Sequence, residues 1–370
     1  MRRDSRGRAR YDVVVRLTET KIAGVVSALA VGFAFAACGG AAVTPRGRGV
    51  PSVAGAPSSV ESFQSRSSAF PAASSAPVVA VKAPGRPPRM AVLKFELKGR
   101  FFPLPLVYGT IGGESAWMLV DTGANSHVIA RWLAKKAKLT MKPLGDVGTD
   151  HTGRAVTTYS VEHPSVVIES WGALDDGPML VTDVPDPIEK LGIGAFISPQ
   201  WLGAEGEAVV MDMVAKTMST APFDDAIRAI DGRGKALVPT GGRICEDTGS
   251  AIKGLAFVIP ATIDGNNVEL LLDTGAHRTD LLTTAKVGQR LAPRSVPSQE
   301  QMYAASGLVR TRLVRGTNVK VGDFSITADI DLIPGVADPV CPRDGVVSMD
   351  VLKSCVLVLG RKQMMGRCGE

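Results

Sequence analysis

The sequence predicts an all-β protein of two pseudo-symmetric, barrel-like lobes with short helices, and three observations carry that expectation. An apolar run ending in Asp-Thr-Gly-Ala occurs twice, as Trp117-Met118-Leu119-Val120-Asp121-Thr122-Gly123-Ala124 and as Leu270-Leu271-Leu272-Asp273-Thr274-Gly275-Ala276. The two Asp stand 273 − 121 = 152 residues apart, about one small domain, so each copy has a lobe of its own. The flanks of the two copies repeat in the same order, which separates a duplication from a chance tripeptide.

Along the chain, the first element is a leader. Residues 1–21 hold seven basic side chains against three acidic ones, and residues 22–37 follow without a charge. That run is shorter than the roughly 20 residues a membrane-spanning helix needs. It ends Phe35-Ala36-Ala37-Cys38-Gly39-Gly40, which resembles a bacterial secretory signal peptide with a lipobox. The resemblance implies a signal peptide over 1–37, a lipid on Cys38 and a place in the cell envelope. Gly39, not Asp, after that Cys implies the outer membrane, facing the periplasm or the cell surface. An ordinary signal peptide or a membrane anchor is the alternative. Residues 38–89 are rich in Ala, Ser, Pro, Gly and Val without periodicity and read as a flexible tether. A stretch of that length reaches roughly 40 Å as a coil. A propeptide is the other reading of it, although the apolar pattern that docking would need is missing.

The first lobe is expected over 90–225 and the second over 226–370. In each, an apolar stretch ends ten residues before the Asp, at Ile111 and at Ile263. Gly112-Gly113-Glu114 and Asp264-Gly265-Asn266 then supply the positive-φ residues of a tight hairpin, so each copy reads strand, turn, strand, Asp loop. Thr152-Gly153 and Ser306-Gly307 follow their Asp at similar distances inside short extended segments that read as hairpins. Phe196-Ile197-Ser198 matches Val346-Val347-Ser348, and each is followed by a strand-like run, 208–212 and 355–359. The stretches 128–138 and 224–230 read as helices.

Both halves resemble retropepsin-like lobes of the aspartic protease superfamily, fused in one chain as in pepsins, over Met90 to Glu370. The resemblance implies an active site in the cleft between the lobes, with Asp121 and Asp273 as the catalytic pair. It gives Thr122 and Thr274 the role of crosslinking the two loops, and Gly123 and Gly275 that of letting the backbone approach the carboxylates. Thr152, Gly153, Ser306 and Gly307 become flap residues that cover substrate, with Tyr159 and Tyr303 nearby. Two like charges a few ångströms apart cannot both ionise, so the pair shares one proton and can activate a water against a peptide carbonyl. No cofactor and no metal is required. Ser198 and Ser348 depart from the family's pattern, which has Gly in the element that buttresses each loop. Ala follows both motif glycines where pepsins commonly carry Ser or Thr, and the missing hydroxyl implies a mildly acidic to neutral optimum. The implied function is a lipid-anchored aspartic endopeptidase. A non-catalytic peptide-binding or scaffold protein on the same duplicated fold is the alternative.

The remaining signals narrow the partners. With Cys38 set aside, Cys245, Cys341, Cys355 and Cys368 are an even number in an exported chain, which favours two disulfides with three possible connectivities. His127, His151, His163 and His277 show no metal spacing, and His127 and His277 read as loop-surface residues. Asp247-Thr248-Gly249-Ser250 is a third Asp-Thr-Gly, but it follows no apolar strand and reads as a surface turn. The net charge of +6 lies mostly in the leader, so nucleic acid is not implied. The expected partners are a protein or peptide substrate and a membrane reached through the lipid anchor, with the protein itself a monomer.

Overall fold

Each half of the body starts from a hairpin whose turn the sequence dictates. Strand Arg100–Ile111 turns through Gly112 and Gly113 into Glu114–Val120, and Gly254–Ile263 turns through Asp264 and Gly265 into Asn266–Leu272. All four turn residues have positive φ, between 48° and 86°, as a two-residue hairpin loop that matches strand twist requires. The structure is a computed structural model that describes residues 88–175, 177–238, 242–247, 252–338 and 340–369, with the backbone alone at 145–147 and 247. The signal peptide over 1–37, Cys38, the tether up to residue 87 and Thr248-Gly249-Ser250 lie outside the described residues.

The described chain is mostly β-sheet with a few short helices, so it is all-β. Its strands form a ten-stranded sheet in the first half, an eight-stranded sheet in the second, and a six-stranded sheet that draws on both. In the first half, Glu114–Val120 lies parallel to Ile193–Ile197, which pairs on its other side with Val128–Ala130. In the second, Asn266–Leu272 lies parallel to Gly345–Val347, which pairs with Asp280–Leu282. The second sheet closes on itself, because Gly254–Ile263 also pairs with Arg312–Val321. Strands in this position are covered on both faces, so they read as continuous apolar runs rather than alternating ones. Met118, Leu119, Val120, Leu270, Leu271 and Leu272 are all fully buried. Each such side chain contributes roughly 1.5–3 kcal/mol relative to exposure.

The two strand-like runs that follow the buttress elements meet. Glu207–Asp212 pairs antiparallel with Cys355–Gly360, with Val210 opposite Val358. Met90–Val92 forms one edge of this shared sheet against Thr217–Pro222. The helix Phe223–Ile230 contains the stretch 224–230 expected to be helical and runs across the 225/226 lobe boundary.

Two sequence expectations are corrected. Residues 128–138 are not one helix: Val128–Ala130 is a strand and only Arg131–Lys136 is helical. Val128 and Ile129 are β-branched, and both edges of their strand are occupied, by Met179–Thr182 and Ile193–Ile197. Arg243–Asp247 is likewise a strand although polar, because Gly254–Val258 supplies its backbone partners.

The four cysteines form Cys245–Cys341 and Cys355–Cys368. The first spans 96 residues of sequence and the second 13. In the chain-entropy account the longer loop is worth about 4–5 kcal/mol and the shorter about 3. Urea unfolding of the Cys245→Ser/Cys341→Ser pair is therefore expected to show a larger loss of stability than the Cys355→Ser/Cys368→Ser pair. Equal losses would contradict that ordering.

Candidate active site

Each Asp of the repeat ends the strand that carries it, and the neighbouring parallel strand fixes its backbone. Asp121 N–H donates to Ile197 O at 2.9 Å, and Asp273 N–H donates to Val347 O at 3.0 Å. One residue on, the halves lock together. Thr122 N–H donates to Thr274 Oγ1 at 3.1 Å, and Thr274 N–H donates to Thr122 Oγ1 at 3.0 Å. Each hydroxyl then donates across the pseudo-two-fold axis, Thr122 to Leu272 O at 2.8 Å and Thr274 to Val120 O at 2.7 Å. These four bonds are buried, and leaving any donor or acceptor of the set unpaired would cost about 1–3 kcal/mol.

The two glycines set the separation of the carboxylates. A Cβ on Gly123 would sit 2.6 Å from Asp273 Cγ, and one on Gly275 would collide with the carboxyl of Asp121. Each carboxyl therefore rests against the glycine of the opposite motif, and any side chain there would push the pair apart. Within its own loop Asp121 Oδ1 accepts from Gly123 N–H at 2.8 Å and Ala124 N–H at 3.1 Å, and Asp273 Oδ1 accepts from Gly275 N–H at 2.8 Å. Oδ2 of each Asp is buried with no donor among the described residues. The side chains are within hydrogen-bonding reach of one another, so a proton held between them supplies the missing donor.

Burial pushes both acids up, and the like charge of Asp273 raises Asp121 further, well above its usual value. Asp273 is raised to about 6 by burial, with Gly275 N–H, Asp121 and the guanidinium of Arg343 pulling the other way. A pair this close titrates in two steps that belong to the pair, the first proton leaving where Arg343 favours the charge.

Below the loops, Ser198 and Ser348 are fully buried, and their hydroxyls have no partner among the described residues. Each backbone N–H is capped within its own half, by the residue six positions after that half's Asp. Ser198 N–H donates to His127 Nδ1 at 3.1 Å, and Ser348 N–H donates to Thr279 Oγ1 at 3.2 Å. Contrary to a loop-surface placement, His127 is thus tied into the support, and burial lowers its pKa to about 4 so that the ring stays neutral. His277 is half-buried. Two residues past each Ser the halves differ again. Gln200 Nε2 donates to Thr122 O, Ala124 O and Leu255 O, whereas Asp350 accepts from the N–H and hydroxyl of Thr279. Aligning the halves on their Asp residues pairs His127 with Thr279. Their joint role has no signature in either half alone.

Thr152 and Gly153 form the tip between strands Lys142–Thr149 and Ala155–Val161; in the hairpin Met302–Val309, Ser306 lies in the turn and Gly307 opens the returning strand. Asp150 joins the two tips. Its Oδ1 accepts from Thr152 N–H and hydroxyl, and its Oδ2 accepts from Ser306 N–H at 3.1 Å. Val336 N–H donates to Thr152 O at 3.3 Å, so the first tip also rests on the second half. Tyr159 lies under the guanidinium of Arg131, and Tyr303 donates to Gln301. Asp121 and Asp273 are both fully buried in this arrangement.

The aspartyl protease family matches the chain twice, over residues 107–196 and 259–351. No curated protein matches it. Each match runs from the hairpin through the Asp loop to the buttress element. The doubled match supports an aspartic protease-like family for this chain, with one copy of the family's domain in each half.

Proposed function

We propose that the protein is an aspartic endopeptidase whose catalytic pair is Asp121 and Asp273, held in a cleft between two lobes. The observation that carries this reading is the packing of each motif glycine against the opposite carboxyl, which brings two acids from distant sequence to one point. In the reaction, Asp273 is the ionised member and takes a proton from the attacking water. Asp121 keeps the shared proton and donates a hydrogen bond to the scissile carbonyl as it becomes an oxyanion. Collapse of the tetrahedral species breaks the C–N bond, and the proton gathered by the acids goes to the leaving amine. No cofactor enters. The hairpin tips at Thr152-Gly153 and Ser306-Gly307 act as flaps that part to admit an extended peptide through backbone hydrogen bonds and close over it.

The setting belongs to the same proposal. The leader and Cys38 support export and lipidation, with residues 38–89 holding a monomeric enzyme clear of the membrane of the bacterial envelope. The two disulfides agree with an oxidising compartment. The alternative, a non-catalytic peptide-binding or scaffold protein, draws on the complete burial of both carboxyls beneath joined tips.

Pepstatin binding to the full chain in detergent separates the two, read by thermal shift from pH 4 to 7 beside an Asp121→Asn/Asp273→Asn variant. The wild type alone is expected to be stabilised. A null result in both folded proteins, with no cleavage in a peptide library, would favour the alternative.

Peptidase activity is expected to rise through about pH 6 as the pair loses its first proton, and to fall at higher pH as the second leaves. A rate maximum below about pH 3, where pepsin-type dyads work, would contradict that ionisation.

Asp121→Asn should lose at least about a thousandfold in kcat/KM, while its stability moves the other way. Folding raises Asp121 well above its usual value, so the stabilisation from keeping it protonated is complete below 3.8 and is lost as pH rises through its folded pKa. At pH 8 the Asn variant is expected to gain about 1–3 kcal/mol over the wild type, a gain that shrinks at pH 4. Thermal melts at the two pH values measure it, and equal shifts at both would count against the paired carboxyls as its source.

A further inference from the structure

Asp280 stands where the first half has Val128, seven residues after the respective Asp of the repeat. The registers make the equivalence structural. Leu119, Phe196 and Val128 lie side by side across three strands of the first half, and Leu271, Val346 and Asp280 do so in the second. Residues level with one another on adjacent strands share a face. On this face Leu271, Leu282 and Val346 pack with Met302, Ala304 and Val309, the hairpin that carries Ser306. A Cβ on Gly335 would touch both Leu282 and Thr152 O, so the first half's tip reaches the same face. Asp280 is therefore on the wall that runs from the dyad to the two tips.

An apolar wall has no need of a carboxyl there. Asp280 is 1% exposed, and the Val346 N–H lies near its carboxyl, but neither oxygen has a well-aligned hydrogen-bond partner among the described residues; burial and the like charges of Asp273 and Asp331 raise its pKa well above the usual value. The charged groups that act on it are Asp273, Asp331 and Arg343. Arg343 acts on Asp280 but is shared with other acids, and the partner of Asp331 is likewise engaged. Arg343 is paired with Asp338 at 3.3 Å and also faces Asp273, while Arg278 is held by Glu300 at 3.0 Å and Asp331 at 3.2 Å. A buried carboxyl with no donor is costly, and a donor arriving with a ligand removes that cost.

We propose that Asp280 determines the specificity of an acidic subsite on the second half's side of the dyad, which takes a lysine or arginine side chain of the substrate. Val128 makes the corresponding place on the first half apolar. This rests on the peptidase reading for its location, but binding tests it without catalysis. Statine-containing peptides with Lys or Leu at each position flanking the statine would be titrated against the full chain and against Asp280→Asn and Asp280→Val. Removing a buried carboxyl that has no well-aligned donor leaves folding intact or improved. At one position Lys is expected to bind the wild type at least tenfold more tightly than Leu, with the difference abolished in Asp280→Asn and reversed in Asp280→Val. Equal binding of Lys and Leu at every position, or a Lys preference that survives in both variants, would overturn the subsite even if peptides are cleaved. A Lys preference lost in the variants, in a protein that cleaves nothing, would support the subsite and count against catalysis. Binding of no statine peptide would sink both.

Discussion

The exchange of hydrogen bonds between Thr122 and Thr274 is the constraint on which the rest of the site depends. Each threonine satisfies the other's backbone and caps the last carbonyl of the other's strand, so neither Asp loop is complete by itself. The apolar strands behind the loops are pinned in turn by the parallel strands 193–197 and 345–347. Position therefore passes from the buried sheets to the threonines and from them to the carboxyls. Little freedom is left at the point where two acids must meet, which is what pre-organisation of a polar site requires.

That arrangement opposes stability and function. Two buried carboxyls held against one another are unfavourable for folding once ionised, and the shared apolar cores and the two disulfides offset them. Such a balance is common where a site needs groups that the fold alone would exclude. The serines under the loops are tolerated on the same terms. Their hydroxyls are buried without partners, while their N–H groups are kept satisfied by His127 and Thr279.

Much of this was legible in the sequence because it is local or repeated. The hairpin turns follow from Gly112-Gly113 and Asp264-Gly265, and the apolar runs before each Asp mark strands buried on both faces. What escaped is what depends on distant partners. Val128–Ala130 reads as the start of a helix until both flanking strands are present, and Arg243–Asp247 has no apolar pattern because its pairing is through the backbone. The proximity of Arg343 to Asp273 joins residues 70 positions apart, and the bond from Asp150 to Ser306 joins the two halves. His127 looked like a surface residue because the backbone N–H it caps lies 71 positions away.

The unlike caps under the two loops have a consequence of their own. A site built from two identical subunits would offer a bound peptide the same surroundings in either direction, and the two orientations would be equal in energy. Here His127 stands where the second half has Thr279, and Gln200 where it has Asp350, so the two halves are not equal. Because both halves lie in one chain, each could change without the other, and on the peptidase reading a peptide laid across them would have a preferred N-to-C polarity.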